Sequence, residues 1–160
     1  MREAPLPIEL NRCNCVALRK ASRRISQFYD SALASSGLRS TQFAVLVELD
    51  RRADAPPTIR ELSEVLVMDQ STIGQNLRPL EREGLIALVQ DETDRRSRRV
   101  KLTRTGRSRL AAAQPLWSAA QQSFENGFGK RAAAELRSVL VKIARDPSLA
   151  IAGDTIAEKA

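Results

Sequence analysis

Residues 58–106, TIRELSEVLVMDQSTIGQNLRPLEREGLIALVQDETDRRSRRVKLTRTG, decide the fold. Thr58 and Glu61 have the spacing of a capping box, which starts a helix whose apolar positions are Ile59, Leu62, Val65 and Leu66. Asp69 is placed to cap the next helix, which carries Ile73, Leu77 and Leu80 inward and ends before Gly84. Leu85–Val89 and Val100–Leu102 have strand character. They flank DETDRRSRR, too polar to bury and rich in turn formers, so it reads as a hairpin tip. Two short helices followed by a β-ribbon predict a winged helix-turn-helix.

Long helices are expected on both sides of this unit. Residues 1–9 contain Pro5 and Pro7 and read as an extended arm; a helix follows from about Asn11 to Ser36, stopped by Gly37. Its apolar positions are Val16, Ala21, Ile25, Phe28, Ala32 and Leu33. A second helix from near Thr41 buries Phe43, Leu46, Val47 and Leu49 and ends at Ala55-Pro56-Pro57. After the ribbon, helices are expected over about 105–128 and 130–144, with a frayed tail after Pro147. The fold class is therefore mainly α with a small β-wing, one domain over 1–160, in which 10–57 and 105–146 supply dimerisation helices and 58–104 the DNA-binding region. The terminal helices offer more apolar surface than one small domain covers, and a symmetric homodimer is the simplest cover.

Composition narrows the function. The 160 residues carry a net charge of +7 and no histidine, with a pI near 10.2. A basic chain favours a polyanionic partner, and Arg95, Arg96, Arg98, Arg99, Lys101 and Arg104 crowd one segment. At 4% aromatic residues, a single-strand binder built on base stacking is disfavoured. Without histidine, histidine-dependent triads and nearly all catalytic zinc sites are excluded. Cys13 and Cys15 make neither a zinc site nor a disulfide framework. No nucleophile–base pair or phosphate loop is visible, so neither an enzyme nor a cofactor is expected. No membrane span or signal peptide is read, and a cytoplasmic location is expected.

The second helix of the pair has a polar front of Gln70, Ser71, Thr72, Gln75, Asn76 and Arg78. Gln and Asn can bond adenine bidentately, Arg guanine, and Thr can meet a thymine methyl. In the wing, alternation along a strand sends neighbouring side chains to opposite faces, so Arg95, Arg96, Arg98 and Arg99 cannot all touch DNA. One is expected to pair with Asp91 or Asp94 and another to enter the minor groove. The DNA-contacting set is thus Ser71, Thr72, Gln75, Asn76, Arg78, Arg95, Arg96 and Arg98. Pro79 lies inside this helix and predicts a bend.

The block LSEVLVMDQSTIGQNLRPLEREGLI, followed by the D-x-x-D-R-R wing and V-K-L-T-x-x-G of Asp91–Gly106, resembles the MarR family of transcriptional regulators, over about Asn11–Arg145. The resemblance implies a winged-helix homodimer, joined through its terminal helices, that binds double-stranded pseudopalindromic operators, most often as a repressor. It also implies release by a small aromatic or acidic effector, or by an oxidant, near the first helix. Many relatives have arginine where this chain has Gln75, which favours adenine or a phosphate there.

The run CVALRKASRRISQFY from Cys15 is similar to the first helix of the hydroperoxide-sensing branch. Arg12 and Arg19 share the helical face of Cys15, and cations lower a thiol pKa. That branch rings its cysteine with tyrosines, whereas Tyr29 is the only tyrosine here, and Arg19 and Ser40 stand where aromatic partners would be. Cys13 and Cys15 lie about 200° apart around a helix, so a bond within it is implausible. The switch set is therefore Cys15, Arg19, Arg23 and Tyr29, with a ligand pocket preferred over a thiol sensor; Arg19, Lys20 or Arg23 could hold a ligand carboxylate. A winged-helix module for protein assembly is the alternative from another class, and steeply salt-dependent duplex binding separates the two.

Overall fold

The computed structural model describes residues 12–149 except 93 and 95. The proline-containing arm, residue 11 and the tail beyond 149 lie outside the described residues. The helices are α1 (Asn14–Leu33), α2 (Ser40–Arg51), α3 (Ile59–Val65), α4 (Gln70–Arg82), α5 (Arg104–Phe128) and α6 (Lys130–Ala144). Short 3-10 turns occupy Ala34–Ser36 and Pro147–Leu149. Strands β1 (Ile86–Gln90) and β2 (Arg98–Leu102) pair antiparallel in the register Ile86↔Leu102 to Gln90↔Arg98. The architecture is that of a winged helix-turn-helix.

The backbone packs as two compact units divided after Ala120. In the first, α2, α3, α4, the ribbon and the start of α5 close over Val45, Leu46, Leu49, Leu62, Ile73, Leu80, Leu85 and Val100, each at most 2% exposed. Val47 and Val65, expected inward, are 41% and 43% exposed. On α2 the buried stripe passes through Phe43, Val45, Leu46 and Leu49, and Val47 falls one residue beyond its edge. On α3 the second inward place is taken by Ser63, whose hydroxyl is satisfied by the Arg60 carbonyl at 2.7 Å. Of the α1 apolar positions only Leu33 is buried; Phe28 is 38% exposed.

Local chemistry sets the element boundaries. The expected stop at Gly37 is present, with φ 74° in the left-handed region. The helix gives way to a 3-10 turn three residues earlier, and Ser36 Oγ bonds the Leu33 carbonyl. Asp30 of α1 accepts from both the amide and the hydroxyl of Ser40 and so seats the start of α2. The capping box of α3 forms as expected: Glu61 N–H donates to Thr58 Oγ1 at 3.1 Å and Thr58 N–H to Glu61 at 2.7 Å. Helix α4 continues through Pro79, which has no N–H to offer the Gln75 carbonyl.

The L-T-x-x-G segment closes the wing onto α5. Thr103 Oγ1 accepts from Gly106 N–H at 3.0 Å and lies 2.6 Å from the Gly84 carbonyl oxygen and 3.0 Å from that of Leu85. Gly106 packs so tightly there that any Cβ would collide with the Leu85 carbonyl. Arg109 Nη1 donates to the Ser36 carbonyl at 3.1 Å and lies 3.6 Å from Glu83, linking α5 to the end of the first helical segment and to the end of α4. In the second unit, Phe124 and Phe128 stack at 5.3 Å and Arg137 pairs with Glu125 at 3.0 Å.

Candidate nucleic-acid interface

The start of α4 is fixed by one carboxylate. Asp69 accepts from Thr72 N–H at 2.8 Å, from the Thr72 hydroxyl at 2.7 Å and from the Ser71 hydroxyl at 2.5 Å. These bonds, the Ser71 hydroxyl first, hold its carboxyl well below the usual carboxylate range. The sequence marked Asp69 as a cap; that it also claims both neighbouring hydroxyls depends on side-chain rotamers that spacing does not encode.

Ile73, Leu77 and Leu80 are buried, so the opposite side of α4 faces solvent, and there Gln70, Ser71, Gln75 and Arg78 are exposed. Among the described residues Gln75 makes no side-chain hydrogen bond within the protein, so its amide is free to pair outward. Asn76 differs. It is half-buried, and its Nδ2 donates to the Thr72 carbonyl at 2.9 Å.

The wing turn is built from two aspartates. Asp94 N–H donates to Asp91 Oδ1 at 3.1 Å, Arg96 N–H to Asp94 Oδ1 at 2.9 Å, and Ser97 N–H to the Asp94 carbonyl at 2.9 Å. The arginine expected to pair with an aspartate is Arg99. Its Nε lies 2.5 Å from Asp91 Oδ2 and its Nη1 donates to the Pro56 carbonyl at 2.7 Å. Asp91 is 4% exposed. Val100 N–H also donates to the Pro57 carbonyl, and Thr58 bridges Arg99, so β2 is stitched to the segment that leads into α3. Arg98, the next residue along the strand, takes the opposite face and is exposed, as is Arg96. Arg95 lies outside the described residues.

The switch residues sit apart from this surface in the chain, on α1. Cys15 is exposed and Cys13 is half-buried at the helix start. Arg19 and Arg23, with Leu18 and Ser22, line an open depression of about 350 Å³. Tyr29 is half-buried and meets Phe28 edge-on at 5.3 Å. Among the described residues no group of three or more His, Cys, Asp or Glu could hold a metal ion. No described helix is long and apolar enough to cross a membrane.

Comparison with known proteins supplies the family. The profile described as the MarR family matches residues 36–97. The transcriptional repressor NicR of Pseudomonas putida is 32% identical over 123 residues, 77% of this chain and 75% of NicR. The chain belongs to the MarR family. A second relative, the transcriptional activatory protein BadR of Rhodopseudomonas palustris, is 36% identical over 77 residues, so the match spans 48% of this chain and less than half of BadR, 44%. Among solved structures, the M. tuberculosis regulator MosR in complex with DNA is 30% identical with a TM-score of 0.71, covering 84% of this chain and 99% of that one. The chain is thus a MarR-family transcriptional regulator, and the exposed polar and basic residues described above lie on its α4 and wing.

Proposed function

We propose that the protein is a homodimeric repressor that reads a pseudopalindromic operator and releases it when a small acidic ligand binds. The observation that carries this reading is the pairing of an outward polar face on α4, with the Gln75 amide unspent, and a wing whose Arg96 and Arg98 are exposed while Arg99 is spent on anchoring. In this reading Gln75, Ser71, Thr72, Asn76 and Arg78 meet the major groove, and Arg95, Arg96 and Arg98 supply phosphate and minor-groove contacts. Segments 10–57 and 105–146 join the protomers. Repression is preferred because the relative named a repressor aligns over three quarters of both chains. The two guanidinium groups beside Leu18 suit a ligand with a carboxylate and an apolar body.

Selection of bound sites from a random duplex pool tests this directly. The expected result is one enriched inverted repeat with half-sites about one helical turn apart, bound with a steep salt dependence. A pool that yields no motif, or binding indifferent to salt, overturns it in favour of a protein-assembly module. Small aromatic acids added to the complex are expected to release it in a gel shift, and Arg19→Ala with Arg23→Ala to blunt that response.

A further inference from the structure

At the cap and first turn of α4, three side chains have a fixed hydrogen-bond polarity. The Ser71 hydroxyl spends its one hydrogen on Asp69 Oδ1 and the Thr72 hydroxyl spends its own on Asp69 Oδ2. The Thr72 N–H is spent on the same carboxylate. What these three side chains still offer outward is lone pairs alone. Turning either hydroxyl around to donate elsewhere gives up a bond to a charged acceptor, which is stronger than one between neutral groups. Ionised Asp69 adds a negative charge at the same place, where a phosphate would be repelled.

We propose that Asp69, Ser71 and Thr72 form an acceptor-only surface that selects bases bearing an exocyclic amine, adenine or cytosine, at the half-site positions beneath the start of α4. In the major groove, adenine N6 and cytosine N4 are the donors, whereas guanine N7 and O6 and thymine O4 are acceptors like the protein groups themselves. The selection is thus partly repulsive: the wrong base leaves two desolvated acceptors face to face. Gln75 and Arg78, exposed further along the helix, are the donors that can read guanine or adenine N7. The operator half-site is divided accordingly, amine-bearing bases towards the start of α4 and N7 contacts towards its middle. The inference rests on the duplex-reading function proposed above and adds which bases are read.

The test uses the full-length chain and the operator enriched by selection. Each half-site base is replaced singly by an analogue: adenine by purine or cytosine by 2-pyrimidinone, which lack the amine, or a purine by its 7-deaza form, which lacks N7. Nonspecific duplex carrying the same analogue serves as reference. We expect at least one position where loss of the amine weakens binding about fivefold or more while loss of N7 does not. Asp69→Asn keeps the helix cap, since Asn caps as well as Asp. In that variant, or in Ser71→Ala with Thr72→Val, the sensitivity at this position is expected to fall below twofold. It should persist in Gln75→Ala. Amine loss costing less than fivefold everywhere overturns the inference, and so does sensitivity that stays at twofold or more in both Asp69→Asn and the double variant, or that vanishes with Gln75→Ala. Failure to enrich any operator sinks the duplex-reading function itself, and this inference with it.

Discussion

Four arginines crowd the wing, and their environments divide the labour between holding the wing and holding DNA. Arg99 faces a carboxylate that is 4% exposed and a backbone carbonyl of the segment before α3. Removing it takes a cationic partner from the buried Asp91 carboxylate, which keeps its bond from Asp94 N–H. Losing one partner of a buried pair costs about 3–5 kcal/mol, and the 35% exposure of the Arg99 side chain places this case at the lower end. Arg99→Ala is therefore expected to lower unfolding stability by about 3 kcal/mol in urea titration. Arg96 and Arg98 are exposed, and no side-chain bond ties either to the described residues. Their alanine variants should stay within about 0.5 kcal/mol of the parent yet each flatten the salt slope of operator binding by about one unit. Equal stability losses for all three would mean that Arg99 is not the anchor.

At the scale of elements, the turn between α3 and α4 holds an unexpected conformation. Val67 has φ 51°, the only described non-glycine residue at positive φ, and its side chain is 67% exposed. A β-branched residue there is strained by about 1–3 kcal/mol, and so little burial offsets little of it. Val67→Asn, a residue that tolerates the left-handed region, is expected to raise stability by about 1 kcal/mol with α4 unchanged by circular dichroism. A loss of stability would show that the valine side chain holds the turn. Nothing in the sequence announces this position, because glycine is the usual signal and it is missing. Signals that act within four residues were legible: the Thr58–Glu61 box, the Asp69 cap and the Gly37 stop all formed where spacing put them. The hairpin was legible as well, although β1 and β2 reach Gln90 and begin at Arg98 because Arg98 and Arg99 pair back across the ribbon. What was not legible needs a partner distant in sequence. Which wing arginine turns inward is decided by Pro56, 43 residues away. Why α5 requires Gly106 is decided by the Leu85 carbonyl.

For the whole molecule, the question is what covers the apolar surface left over. Phe128, Val139, Val141 and Ile143 in the second unit are 40–52% exposed, and Leu18 and Phe28 of α1 are 39% and 38% exposed. Single exposed apolar residues are ordinary, but Val139 and Ile143, four residues apart, share one face of α6. A helix with such a face is stable in water when another apolar face meets it, and a second copy of the chain brings the same helices by symmetry. We therefore expect sedimentation at micromolar concentration to give a species of roughly twice 17.7 kDa. Val139→Glu together with Ile143→Glu places like charges against each other across a two-fold interface and is expected to yield monomers. Because α2, α3, α4, the ribbon and the start of α5 share a buried core within one protomer, such monomers should keep their helical content. Their operator affinity should drop to that of one half-site, with a salt slope about half the parent's, since each protomer contributes its own phosphate contacts. A monomeric parent chain, or a glutamate pair that leaves the dimer and the slope intact, would refute the assignment of these helices to the interface.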